Sequence, residues 1–100
     1  MTTMLERLRE ARVKIDAARD VVRGDRGASP VLVAVVDEFA SKAEKATTAE
    51  DERSAVVELE QAGDSAKAAV EADTGVAEAT RQAVLDAHLV ICIAKAKLER

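Results

Sequence analysis

Two residues in this chain are scarce and chemically able: its only histidine, His88, and its only cysteine, Cys92. On a helix, residues at this spacing share one face. An imidazole beside a thiol is the pairing that nucleophilic cysteine catalysis uses, the base taking the thiol proton. A catalytic thiolate also needs an electropositive, partly open setting. Cys92 instead lies within the apolar run Leu89 to Ala94, among Val90, Ile91 and Ile93, which predicts a buried, inert thiol. A di-iron bundle would need Glu-x-x-His pairs aimed inward, and the residue three before His88 is Leu85. On these grounds no catalytic residue, no metal ligand and no cofactor site is expected. Gly24 and Gly27 follow no strand, so they do not make a phosphate-binding loop.

Ala87-His88 is similar to the opening of the Ala-His-x-Leu-Lys-Gly pattern of histidine phosphotransfer domains, which are four-helix bundles carrying one helical histidine. The resemblance implies phosphoryl transfer through a solvent-exposed His88. It covers two residues. The chain continues Leu89-Val90-Ile91-Cys92, without the lysine that helps hold the phosphoryl group or the glycine that clears room for a partner. Arg23-Gly24-Asp25 matches a cell-adhesion tripeptide by letters and reads more simply as an interhelix turn.

The elements that carry these residues are helices with a regular apolar stripe. In the first, over residues 3–23, the stripe is Met1, Met4, Leu8, Ala11, Ile15, Ala18 and Val22, alternating steps of three and four, as in a heptad seam. Thr3 and Glu6 fit a capping box. Gly24 and Gly27 are expected to close the helix through a left-handed residue. Ser29-Pro30 is a start signal for the second helix, 30–46, with the stripe Leu32, Val36, Phe39, Ala43 and Ala46. A third helix is predicted over 48–72, capped by Thr47-Thr48 with acids in its first turn. Its stripe is Val56, Leu59, Gly63, Ala66 and Val70. A phase shift between Ala46 and Val56 favours a break over one continuous helix. The fourth, 76–99, follows the turn Asp73-Thr74-Gly75, with the stripe Ala77, Thr80, Val84, Ala87, Ile91, Ala94 and Leu98 and cations Lys95, Lys97 and Arg100 at its end.

Four such stripes with short links predict an all-α fold, an up-down-up-down four-helix bundle formed by residues 1–100 as one domain. The alternative is long helical hairpins assembling as a dimer. The small centre of the third helix should lie near the bulky start of the second. The apolar run of the fourth should lie near Leu5 and Leu8.

The chain has 100 residues, 48% apolar and 34% charged, with one Phe and no Trp or Tyr. A net charge of −4 and the lack of stacking aromatics argue against nucleic-acid binding. No apolar stretch reaches the length of a membrane span and no signal peptide is visible. A lone cysteine fits a reducing, cytoplasmic setting.

With the stripe assigned to the core, Leu85, Leu89, Cys92, Ile93 and Ala96 fall on the other side of the fourth helix. Val31 and Val35 form a smaller surplus on the second. The first and third helices show mainly charged outer positions. Contiguous apolar surface on a small domain marks an interface. The sequence therefore predicts a non-enzymatic interaction module, a homodimer through these residues, acting as adaptor, scaffold or accessory subunit. The alternatives are phosphotransfer through His88, and an inhibitor or regulator that binds a protein partner through its apolar faces.

Overall fold

The computed structural model describes residues 2–98; Met1, Glu99 and Arg100, which the sequence reading used, lie outside the described residues. Four helices form an up-down-up-down bundle: α1 (Met4–Gly24), α2 (Pro30–Ala46), α3 (Glu52–Ala72) and α4 (Glu78–Leu98). There is no strand among the described residues. α1 and α3 each pack on both α2 and α4, which makes a square ring. Extents of 39 × 19 × 18 Å match helices of 21 residues, each about 31 Å long at the α-helical rise.

The apolar stripes supply the core. Leu8, Ala11, Ile15, Ala18 and Val22 are buried on α1, and Val84, Ala87, Ile91 and Ala94 on α4, with Thr80 buried beside them. Most of these side chains are small, so the helices must approach closely to fill the space between them. Gly63 shows this at its sharpest. A Cβ there would lie 3.1 Å from Phe39 Cζ and 3.2 Å from Ile91 Cγ2. The small centre of α3 therefore lies level with the middle of α2, not with its bulky start as the stripe suggested. Helix rotation and stagger follow from filling all layers together, which no single stripe encodes.

The ends also depart from expectation. Thr3 Oγ1 accepts from the Glu6 N–H at 3.1 Å, so the threonine half of the capping box is present. Among the described residues no glycine has a positive φ, so the turn glycines are not left-handed closers. They provide room instead: a Cβ on Gly27 would collide with the Gly75 carbonyl, and one on Gly75 would lie 2.7 Å from the Gly27 oxygen. Helix α3 starts at Glu52 with Asp51 as its cap, accepting from the Ser54 N–H at 3.2 Å. Thr47 and Thr48 close α2 instead: their hydroxyls donate to the Glu44 and Lys45 carbonyls at 2.8 and 3.4 Å. A carboxylate accepts more strongly from helix-start N–H groups than a hydroxyl does, and the threonine hydroxyls are free to donate backward.

The bundle contains a repeat that composition conceals. Each buried residue of α3 lies 48 positions beyond one of α1: Val56 beyond Leu8, Leu59 beyond Ala11, Gly63 beyond Ile15, Ala66 beyond Ala18, and Val70 beyond Val22. The same offset relates Val36, Phe39 and Ala43 on α2 to Val84, Ala87 and Ile91 on α4. The turns match as well. Asp25 accepts from the Gly27 N–H at 2.8 Å and Asp73 from the Gly75 N–H at 3.0 Å. Each aspartate also reaches across to the other turn. Asp25 Oδ2 takes the Ala77 N–H at 2.9 Å and the Thr80 hydroxyl at 2.6 Å. Asp73 Oδ2 takes the Ser29 N–H at 2.8 Å.

Candidate functional site

Arg23 pairs with Asp37 between α1 and α2 at 3.0 Å, and a cluster of polar side chains meets along the seam between α3 and α4. Gly63 is a core position of α3 and Ala87 one of α4; the residue after each, Asp64 and His88, flanks the core. Because Gly63 has no side chain, the imidazole can settle over it: a Cβ would lie 3.3 Å from His88 Cδ2. His88 Nε2 then lies 2.7 Å from Asp64 Oδ1. One turn further along α4, Cys92 Sγ lies 3.4 Å from the same Nε2 and 3.8 Å from Nδ1. The next turn adds an ion pair, Lys95 Nζ to Glu60 Oε1 at 3.3 Å.

The imidazole is largely shielded, at 14% exposure, while the Asp64 side chain is 57% exposed. The hydrogen bond with His88 holds the Asp64 carboxyl below its usual value, against a smaller opposing effect of burial. Burial pushes the Cys92 thiol up, and the nearby carboxylates Glu60 and Asp64 push it further, against Lys67 and Lys95.

These facts bear on each chemistry in turn. A nucleophilic relay places the orienting carboxylate and the nucleophile on opposite nitrogens of the imidazole. Here Asp64 and Cys92 both approach Nε2 most closely, and the thiol is held protonated rather than activated. Phosphoryl transfer needs an accessible imidazole nitrogen; here Nε2 is hydrogen-bonded to Asp64 and Nδ1 lies 3.8 Å from the Cys92 sulfur on a largely shielded ring. The geometry is convergent: an oxygen, a nitrogen and a sulfur donor lie within 4.8 Å of one another. Asp64 is not singled out by the sequence, since it lies outside the inward stripes and on a different helix from His88. The available signal was that Asp64 follows Gly63 as His88 follows Ala87, on neighbouring helices.

The residues expected at an interface divide between two places. On α4, Leu89 and Ile93 are 57% and 44% exposed, with Ala96 exposed and Leu85 and Cys92 half-buried beside them. Val31 is exposed and Val35 half-buried on α2. Val31 lines a hollow with Ala69, Ala72 and Thr74 of the α3 end, apart from the α4 face. The charged exterior expected of the first helix is interrupted at Val13, 69% exposed, which lines a groove with Val90 of α4. No described helix is long and apolar enough to cross a membrane.

No protein-family model, curated protein or solved structure matches the chain.

Proposed function

We propose that this protein is a non-enzymatic helical-bundle interaction module that works as a two-fold homodimer through the outer face of α4, as an adaptor, scaffold or accessory subunit. The observation that carries this reading is the pair Leu89 and Ile93, more than two-fifths exposed on a helix whose inner face is already committed to the core. Exposed side chains of this size, flanked by Leu85 and Ala96 at helical spacing, leave apolar area that association removes from water, at roughly 25 cal/mol per Å². Two-fold symmetry lets one helix face meet its own copy, which is the commonest way a single surface is covered. The net charge of −4 favours a protein partner over a nucleic acid, and the single thiol fits a cytoplasmic setting.

Leu89 is outside the core, so Leu89→Glu tests association without emptying a packed site. Size-exclusion light scattering at micromolar concentration should give a dimer for the native protein and a monomer for the variant. A variant that keeps its melting temperature and remains dimeric overturns the assignment of the face. A native protein that is monomeric throughout overturns the homodimer.

A further inference from the structure

We propose that Asp64, His88 and Cys92 are three ligands of a transition-metal site, that Zn²⁺ is the ion it fits best, and that water completes the coordination. The site is independent of self-association, since all three ligands come from one chain.

Donor chemistry narrows the ion. Carboxylate oxygen, imidazole nitrogen and thiolate sulfur together suit Zn²⁺ and its borderline-soft neighbours, whereas Mg²⁺ and Ca²⁺ take oxygen ligands. Distance then decides whether the three can share a centre. Zinc bonds of about 2.0–2.3 Å at tetrahedral angles separate donor atoms by about 3.3–3.6 Å. Cys92 Sγ is 3.4 Å from His88 Nε2, so that pair stands at coordination distance already. Asp64 Oδ1, at 2.7 Å from Nε2 and within 4.8 Å of the sulfur, must swing away from the nitrogen and toward the sulfur to reach that spacing. Its side chain is 57% exposed, and a χ rotation at the helix surface supplies that movement without a backbone shift.

The scaffold suits the task. His88 and Cys92 lie one helical turn apart on α4, which fixes two ligands on one rigid element. Asp64 comes from the neighbouring helix, so a bound ion would tie α3 to α4. The Gly63 position lets the imidazole lie close to the α3 backbone. Glu60 and Lys95 pair with each other at 3.3 Å beside the ligands. Coordination replaces the thiol proton by the metal, forming one sulfur–metal bond and releasing one proton to solvent.

The chain has one cysteine and one histidine, so each readout is assigned without ambiguity. The full chain, stripped with chelator, is titrated with Co²⁺. A thiolate-to-cobalt charge-transfer band should grow to an end point of one ion per chain, and Zn²⁺ should abolish it. Cys92→Ser should remove the band. His88→Gln and Asp64→Asn should each weaken Co²⁺ binding by at least the roughly 10–100-fold that loss of an outer-shell partner costs. Zn²⁺ at about 100 times Kd should raise the melting temperature by about 10 °C or more for a domain of this size. The absence of a band in excess Co²⁺ overturns the proposal. So does a band unchanged in both His88→Gln and Asp64→Asn, which would mean the thiol binds alone. An end point of one ion per two chains would place the metal between two Cys92 thiols and overturn the single-chain site.

Discussion

The hairpin α1–α2 and the hairpin α3–α4 share a core register and differ in what they do with everything outside it. Inside, large and small are exchanged between counterparts: Ile15 corresponds to Gly63, and Phe39 to Ala87. Outside, α2 carries Asp37, Ser41, Glu44 and Lys45 where α4 carries Leu85, Leu89, Cys92 and Ile93. Even a residue common to both is used differently. Asp16 pairs with Arg12 on its own helix at 3.7 Å. Its counterpart Asp64 pairs with His88, because α4 has an imidazole where α2 has Ala40. Two copies of one packing solution thus leave α2 with polar residues where α4 carries an apolar face and a donor cluster, while the first hairpin exposes Val13, Val21 and Val31 at other positions. Residues that both hairpins need serve the fold, and residues that only the second has are those to which function is assigned above.

The core side of this comparison can be broken most forcefully at Phe39. Phe39→Ala should cost about 3–5 kcal/mol, as for other buried aromatics, read as a fall in urea midpoint. Adding Gly63→Ile to that variant moves bulk from α2 to α3, as in the Ile15 and Ala87 counterparts. Calorimetry of the single and double variants should show a favourable coupling of about 1 kcal/mol or more. Strict additivity would mean that the size exchange is coincidental.

A smaller effect sharpens the comparison at the turns. Hydrogen bonds from Thr80, Ala77 and Gly27 hold the Asp25 carboxyl below its usual value, and those from Ser29 and Gly75 do the same for Asp73. A carboxylate whose folded pKa is lowered stabilises above its unfolded value of about 3.9 and loses that contribution as pH falls through the folded one. Denaturant midpoints should therefore drop on acidification below about pH 4. Asp25→Asn should flatten that drop more than Asp73→Asn, since Asp25 also takes the Thr80 hydroxyl. Equal flattening would show that the buried threonine adds nothing.

The smallest effect is expected at Arg12. The pair with Asp16 is exposed on both sides, so Arg12→Ala should change stability by less than about 0.5 kcal/mol. A larger loss in thermal melts would mean that the first hairpin also holds a structured polar site.

Much of the fold was legible because a helical stripe is a local property. Leu8 through Val22 predicted α1 to within a residue at each described end, and Ser29-Pro30 marked the start of α2. The start of α3 was not legible. Thr47, Thr48 and Asp51 are all competent caps, and which one serves depends on where the chain must turn. The apolar outer residues of α4 were also visible in advance; Leu89, Ile93 and Ala96 are exposed, while Leu85 and Cys92 are half-buried. Asp64 beside His88 was not, since it depends on the relative rotation of two helices, and that is set by every layer of the core at once. The repeat is faint in the sequence for a related reason: counterparts keep burial but exchange size, so residue identity carries little of it.

The reciprocal aspartates change what counts as a unit. Asp25, which ends α1, tethers the first turn of α4, and Asp73, which ends α3, tethers the start of α2. Each hairpin lends an acceptor to the start of the other's second helix. The two hairpins share one core along their length, their reciprocal polar tethers lie at one end, and the covalent link through Thr47 to Asp51 lies at the other. That link acts as a leash that sets local concentration, which makes it the place to cut, permute or lengthen the chain.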